Sequence, residues 1–529
     1  MMKFPFSPKK ATLSIIGLLW VLSYFWPVAA QAQSVPNDST ATVAAGKHYL
    51  RSSFHRFWWG EHYRKVWAEP VQVPFLWISK FQGGVEPLKQ GGSFQTKNLR
   101  LVDKKGREYV LRSIDKDPSK ALPTFLQKTF VANLMRDQTS VIHPYGAFIV
   151  PALATAADVY HTNPQLVYVA DDPALGEFRA EFAHTLALLE ERPDGNWETI
   201  SSFGNPNDIV SSKKAISQMV KSPTHAVEAG RYLRSRLFDM WLSDWSRRED
   251  QWRWAVQKKD GQTFYAPIPR DRDHAFFKFN DGVLTKLVGV FKPNYQSFDK
   301  TIVGSNVTGL IKSSRQMDSY LLAYLTREEF QQAALDLQAR LTDQVIEQAL
   351  QTWPPQIREL SAAEFANKLK SRRQDLLSAA EAFYKEINED VLVPGTDAQD
   401  TFEFQFEPDG SLLLFHYTHS PDKEKKLIHQ KKFLPKETHS ISVFGLGDKD
   451  TFVLRGTGKN KMNLKLYGGE GTDLLEISPG FQLKGRKILV LDEEDGNEFG
   501  KHQKINKKAY VPAAQEFNGD GWLLRHRLH

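Results

Sequence analysis

From Asn98 to Ile114 the chain alternates apolar and polar residues twice around a glycine-containing turn: Asn98-Leu-Arg-Leu-Val-Asp103, Lys104-Lys-Gly106, then Arg107-Glu-Tyr-Val-Leu-Arg-Ser-Ile114. A period of two broken by such a turn predicts a β-hairpin. Between Phe125 and Asp137 the period lengthens, and Phe125, Phe130, Val131 and Leu134 share one face of a predicted helix. Leu166–Val169 and Leu186–Glu191 read as strands, the second ending at Pro193-Asp-Gly195. Helices then take over. Ala226–Leu242 is amphipathic, and Thr326-Arg-Glu-Glu329 and Ser361-Ala-Ala-Glu364 have the spacing of capping boxes that open helices. Trp353-Pro-Pro355 separates those two runs. Past Val393-Pro-Gly395, short alternating runs with Gly/Asp turns return. The pattern predicts an α+β chain with a β-rich lobe over 75–185, a helical lobe over 186–394 and a small all-β domain over 395–529.

The N-terminus changes the setting. A basic start, an apolar run from Ala11 to Ala30 and the end Ala30-Gln-Ala32 have the three parts of a secretory signal peptide, 1–32. The same run is long enough to be an uncleaved anchor. Residues 33–74 read as a polar leader followed by an aromatic docking segment, Phe54–Trp67. The chain has no cysteine, which excludes disulfides, zinc–thiolate sites and cysteine nucleophiles. An exported chain without disulfides fits the periplasm or outer membrane of a Gram-negative cell. The net charge of +7 is thinly spread and no dense basic run appears, so nucleic acid is not an expected partner. Tryptophans cluster at Trp58, Trp59, Trp67 and Trp77, and again at Trp241, Trp245, Trp252 and Trp254. Clustering of this kind means packing, or a surface for an envelope protein or the membrane.

Candidate chemistry lies in two segments, Trp241-Leu-Ser-Asp-Trp-Ser-Arg-Arg-Glu-Asp-Gln-Trp252 and Ile268-Pro-Arg-Asp-Arg-Asp-His-Ala-Phe-Phe277. A base, an amide and a metal-binding aspartate are what phosphoryl transfer needs. Upstream, Gly91, Gly92 and Lys97 in a glycine-rich turn, and Arg112 on the following strand, are candidate phosphate contacts. Residues 243–251 resemble the Asp-Arg-His-x-x-Asn loop of the atypical kinases: the phosphatidylinositol kinases, the persistence-toxin kinases and the secretory-pathway casein kinases. On that resemblance Ser246 falls at the catalytic Asp and Gln251 at the metal-binding Asn. Asp273 falls at the later metal-binding Asp, with Asp271 its alternative. Leu186–Glu191, with Glu190, resembles the strand that borders adenine. The resemblance implies a two-lobed kinase-like core with ATP and Mg or Mn as cofactors. The stretch from Ser52 to Val393 also resembles a family of Gram-negative envelope proteins. It shares with them Gly-Gly-x-x-Gln-Thr-Lys, Val-Leu-Arg-Ser-x-Asp-Lys-Asp-Pro-Ser-Lys and Ile-Pro-Arg-Asp-Arg-Asp.

The chain departs from the kinase pattern at one decisive place. Ser246 has no carboxylate with which to accept a proton. Asp244 and Asp250 are the candidate substitute bases, and Asp137 is the acid in the predicted helix available to pair with Arg112. These departures point to a weak or inactive enzyme. In the C-terminal domain, Gly468-Gly-Glu-Gly-Thr-Asp-Leu-Leu-Glu476 fits the calcium-binding nonapeptide of repeat-in-toxin proteins, which makes Asp473 a candidate calcium ligand. Gly/Asp turns in a β-sandwich or a short β-helix are the simpler reading. No His-Glu-x-x-His or Gly-x-Ser-x-Gly spacing occurs, against a zinc hydrolase or an α/β-hydrolase.

Overall fold

The computed structural model describes residues 40–91, 97–419, 424–492 and 497–509. The predicted signal peptide and Gly92 lie outside them.

Seven strands form the first sheet: β1 (Thr40–Ala44), β2 (Pro70–Leu76), β3 (Val85–Gly91), β4 (Asn98–Asp103), β5 (Glu108–Ser113), β6 (Gln165–Val169) and β7 (Leu186–Arg192). Their order is β1-β2-β6-β7-β5-β4-β3. The predicted hairpin is β4–β5, in a register that sets Asn98 opposite Arg112 and Leu101 opposite Tyr109. Leu99, Leu101, Leu111 and Leu189 bury one face of it. The leader contributes β1 and β2, and β7 pairs with both β5 and β6. This sheet therefore runs beyond 75–185 at both ends.

A second sheet has the order β8-β10-β11-β9, from β8 (Ile209–Ser211), β9 (His225–Val227), β10 (Trp252–Lys259) and β11 (Gln262–Pro269). Its β10–β11 hairpin pairs Trp252 with Pro269. The first candidate segment ends where β10 starts, and the second leaves β11 at Arg270. The hairpin thus brings segments distant in sequence to one end of one sheet.

The helix Ala229–Trp241 is buried along most of its length. Its last carbonyls are orphans of the helical ladder. Arg372 takes them up, donating from Nε to the Trp241 carbonyl at 2.7 Å and from Nη2 to that of Met240 at 2.6 Å. The Thr326–Glu329 capping box forms and opens Arg327–Arg340. The second expected box does not. Ser361 lies inside the helix Pro355–Gln374, which Pro355 opens because proline at the first turn gives up no hydrogen bond. The helix expected from Phe125 begins only at Phe130, after Thr129, and Phe125 and Phe130 stay exposed.

The C-terminal strands are β12 (Asp390–Pro394), β13 (Asp400–Phe406), β14 (Leu412–His419), β15 (Lys425–Phe433), β16 (Ser440–Leu446), β17 (Thr451–Asn460), β18 (Asn463–Gly469), β19 (Leu474–Ile477), β20 (Gln482–Gly485), β21 (Ile488–Asp492), β22 (Glu498–Phe499) and β23 (Ile505–Ala509). One sheet is β12-β16-β18-β21-β23, the other β15-β14-β13-β17-β19-β22. The chain crosses between them at each turn, and successive turns pair in parallel, as in β16–β18 and β17–β19. This is a stacked parallel solenoid interrupted by the β14–β15 hairpin, in place of a sandwich. Phe402, Phe404, Val443, Leu454, Leu464 and Leu466 fill it. Buried Lys431 joins it to the helical part by donating to the carbonyls of Ala323 (2.7 Å) and Leu325 (2.9 Å) and to Asn388 Oδ1 (2.7 Å).

One corner of the solenoid repeats Gly-x-x-x-x-Asp, at 395–400, 445–450 and 468–473. Asp400 donates its N–H to Asp450 Oδ1 (2.8 Å), Asp450 to Asp473 Oδ1 (2.9 Å), and Asp473 to Asn497 Oδ1 (2.7 Å). The glycines make room: a Cβ on Gly445 would lie 2.1 Å from Asp450 Oδ2, and one on Gly468 2.2 Å from Asp473 Oδ2. Burial, then neighbouring Asp400, pushes the Asp450 carboxyl up to about 10, and burial pushes Asp473 up to about 6. A raised carboxyl favours the folded state below its ordinary range near 4 and loses that contribution as pH rises through the folded value. The solenoid is therefore expected to weaken as pH climbs from about 4 through 6 and towards 10. Asp450→Asn keeps the acceptor oxygen without the charge, as Asn497 already does. It should stabilise the protein at pH 8 by at least about 1.4 kcal/mol, the equivalent of one pKa unit, and less at pH 5. Urea denaturation at both pH values checks this, and lower stability of the variant at pH 8 would count against it.

Candidate functional site

Three arginines and three aspartates lock the two candidate segments together. Arg236 donates from Nε to Asp318 Oδ1 (2.9 Å) and from Nη1 to Asp239 Oδ2 (3.0 Å). Arg272 bonds Asp239 and lies 3.4 Å from Asp244 Oδ2. Arg247 donates to Asp244 Oδ2 at 2.6 Å and to the carbonyls of Arg270 (2.9 Å) and Asp271 (2.8 Å). All six side chains are buried. Removing one member of such a set leaves an unpaired charge in low dielectric. Ser243 and Asp271 hold left-handed backbone conformations, φ 59° and 56°, at the two bends this network fixes. Such conformations persist where the surroundings over-determine them.

Asp244 is a member of this network and not a free base. Burial raises its carboxyl to about 6 against the pull of Arg247 and Arg272, but both arginines occupy it. Asp250 is mostly exposed and pairs with Arg248 at 3.1 Å on the surface. Arg247 and Arg272 both reach Asp244 through Oδ2, and its Oδ1 is buried without a hydrogen-bond partner among the described residues. Ser246 is buried, and Gln251 Nε2 donates to its Oγ at 3.3 Å. The positions that the kinase resemblance assigned to base and amide ligand are thus adjacent, with a hydroxyl where the carboxylate is needed.

Across from them stands Arg112 on β5. It bonds Glu190 of β7 and donates to Asp271 Oδ1 at 2.9 Å. Burial works against its charge, but Glu190 and Asp271 hold it on. Thr162 donates to the other Glu190 oxygen at 3.0 Å. Asp137 does not serve Arg112, because it is taken by Arg64 (2.7 Å), Arg51 (2.8 Å) and His55 (2.9 Å). Asp273 is bound by Lys116, and its carboxyl lies far below the usual range: Lys116 and Arg112 overcome the opposing effect of burial. The structure therefore brings together Arg112, Glu190, Asp271 and Asp273, with Ser246 and Gln251 held by the same loops. Gly91 ends β3, and Lys97 turns away to the Glu181 carbonyl (3.2 Å). Lys97 and Lys116 line a cavity of about 560 Å³ with His48, Asp115, Arg136 and His184. Sequence reasoning assigned no role to Lys116 or Arg272, although both lie inside the motifs Val110–Lys120 and Ile268–Asp273; Arg247 falls at the Arg of the kinase-like loop.

Of the donors expected to bind Mg or Mn, Asp271 pairs through Oδ1 with Arg112 and Asp273 through Oδ2 with Lys116, while the buried Gln251 Oε1 has no hydrogen-bond partner among the described residues. At Asp473, the candidate calcium ligand, Oδ1 accepts the Asp450 amide and Oδ2 is buried without a hydrogen-bond partner among the described residues. Among the described residues no three acidic or histidine side chains converge as a ligand set. Residues 493–496 lie outside the described residues.

Comparison with known proteins gives the following. No protein-family model and no curated protein sequence matches the chain, so the envelope-family motifs find no counterpart there. Among solved structures, similarity appears to the HipA–HipB–operator DNA toxin–antitoxin complex of Shewanella oneidensis. Identity is 12%, covering 67% of this chain and 75% of that one at a TM-score of 0.29. The proinflammatory kinase CtkA of Helicobacter pylori is 8% identical over 54% of this chain and 94% of its own, at a TM-score of 0.27. The Rio2 kinase–ADP/Mg2+–phosphoaspartate complex of Chaetomium thermophilum is 12% identical over 51% and 72%, at 0.20. Likeness at this level fixes neither activity nor ligand.

The two aspartates should separate cleanly on substitution. Asp239→Ala leaves Arg236 and Arg272 buried without their shared partner, and is expected to cost about 3–5 kcal/mol in urea denaturation. Asp250→Ala should stay within about 0.5 kcal/mol of the parent.

Proposed function

We propose that the chain is a kinase-like protein that binds a nucleotide between its first sheet and its helical part, and that its phosphotransfer is weak or absent. The observation that carries this is the pairing of a kept cation with a lost base. Arg112 stays charged and aimed at Asp271 and Glu190, while Ser246 occupies the position that needs a carboxylate. A hydroxyl cannot replace a general base near neutral pH. Lys116 on Asp273 and Arg112 on Asp271 supply positive charge where a divalent ion would otherwise stand. The export predicted for residues 1–32 belongs to the same proposal and places the nucleotide site outside the inner membrane.

With the full chain, ATP is expected to raise Tm, and Arg112→Ala to weaken ATP at least about tenfold through loss of charge-assisted contacts. Hydrolysis and autophosphorylation with Mg or Mn should stay at the level of the protein-free control. Absence of any ATP-dependent shift would remove the nucleotide. Turnover that disappears in Asp273→Ala would remove the claim of inactivity.

A second reading, a membrane-docking role, is favoured by a different surface. The helices Ser53–Trp59 and Val283–Phe291 pack together. A Cβ on Gly282 would meet Gly60 N at 2.4 Å, so glycine sets that approach. The pair exposes Phe54 (76%), Phe57, Leu287, Val290 (76%) and Phe291 (74%), with Trp58 at the edge. Exposed Lys286 and Lys292 flank them. Apolar and aromatic side chains rimmed by lysine suit an anionic bilayer surface. No helix among the described residues is long and apolar enough to cross a membrane. The protein is expected to cosediment with vesicles containing phosphatidylglycerol, and Phe291→Ser should weaken this about tenfold, the scale of one buried phenyl ring. Equal partition of the variant would defeat this reading.

A further inference from the structure

A cavity of about 490 Å³ opens where the first sheet meets the helical part, and it shares no residue with the arginine–aspartate network. Gln72 and Pro74 of β2 and Leu166 of β6 line it from the sheet. The segment Thr352–Gln356, which opens the helix Pro355–Gln374, lines it from the helical part, and Phe148 and Pro164 complete it. Among the described residues no ionisable side chain faces this space. A charged ligand would leave water here without a counter-ion, so the lining favours a neutral one.

The walls are short of hydrogen-bond donors. Pro74, Pro164, Pro354 and Pro355 carry no N–H. Trp353 spends its indole N–H on the Tyr145 carbonyl at 2.7 Å, and the Thr352 hydroxyl donates to the Ala349 carbonyl at 2.8 Å. Gln356 differs from these neighbours. Its Oε1 is buried and has no hydrogen-bond partner among the described residues. Its backbone N–H lies in the first turn of a helix, where the helical ladder supplies no acceptor, and Pro354 before it provides no side-chain cap. A buried acceptor without a donor is costly, and a ligand N–H would relieve it. One residue thus offers an acceptor and a donor together, the complement of a single peptide group, which also carries one of each.

We infer that this cavity binds a neutral, extended segment of a partner polypeptide, with one peptide group paired to Gln356 and apolar side chains laid against the prolines and Phe148. A peptide group is free to pair in this way in an extended or polyproline II segment, because a helix uses its own groups internally. The volume lies in the range of small-ligand sites and takes a few residues, not a folded domain. Stiff proline walls lose little freedom on binding, which suits a short segment. The site goes beyond the nucleotide reading and does not depend on it.

Calorimetric titration of the full chain tests the inference with three probes. They are the capped peptide acetyl-Ala-Pro-Val-Ala-amide, the same peptide with every backbone N–H methylated, and maltotriose. The first is expected to bind, the second at least about tenfold more weakly, and the sugar not at all. Gln356→Leu removes the bare acceptor and should weaken the peptide at least about tenfold, with a ligand-free Tm unchanged or higher. Gln72→Trp, at an exposed position on β2, should block the cavity and abolish binding. Arg112→Ala should leave the peptide affinity unchanged. Absence of peptide binding overturns the inference, as does maltotriose binding in its place. If Gln356→Leu lowers the ligand-free Tm, Gln72→Trp decides, and wild-type peptide affinity in that variant overturns the inference.

Discussion

The arrangement of the cleft depends on Asp239. It sits on a buried helix and accepts from Arg236 and Arg272, while Arg247 approaches to 3.9 Å. Through those arginines one carboxylate sets the loop before β10, the bend after β11 and the helix that carries Asp318. Ser243 and Asp271 keep left-handed conformations because this network leaves them no other. Charge of this kind contributes definition more than stability, since desolvation consumes much of the Coulombic gain. In this arrangement Asp271 of the second loop meets Arg112 at 2.9 Å, and Ser246 of the first places a hydroxyl beside Gln251.

The elements legible in the sequence were those whose signal is local. The β4–β5 hairpin follows from alternation on both sides of one glycine turn, and Thr326 caps its helix because Glu329 answers it three residues later. Ser361 carried the same spacing and misled, because Pro355 had already opened that helix. The aspartates of Ile268–Phe277 and the cation at Arg112 were visible as residue types in the expected order. Their partners were not. Lys116 and Asp273 are 157 residues apart, and nothing near either names the other. Asp244 and Asp250 were equal candidates in sequence. Burial alone separates them, one inside the arginine network and one on the surface.

The solenoid was legible only as one of two readings, a β-sandwich or a short β-helix, for a related reason. Its first two ladder aspartates are 50 residues apart because the β14–β15 hairpin intervenes, and the next steps are 23 and 24. A repeat with unequal steps and one Asn among its aspartates leaves a faint periodicity, so isolated turns were more visible than the stack. The Gly-x-x-x-x-Asp corner is the part that persists, because the side chain needs the space that glycine leaves.

That ladder also has a direction. Each aspartate amide donates to a side chain one rung later in the chain, never to one already made. During synthesis a completed rung therefore waits, with its corner amide unsatisfied, for residues that have not yet emerged. Closure can therefore follow translation one rung behind: Asp450 satisfies the Asp400 corner, Asp473 the Asp450 corner and Asn497 the Asp473 corner. A chain interrupted between rungs would hold one open corner, at whichever rung came last.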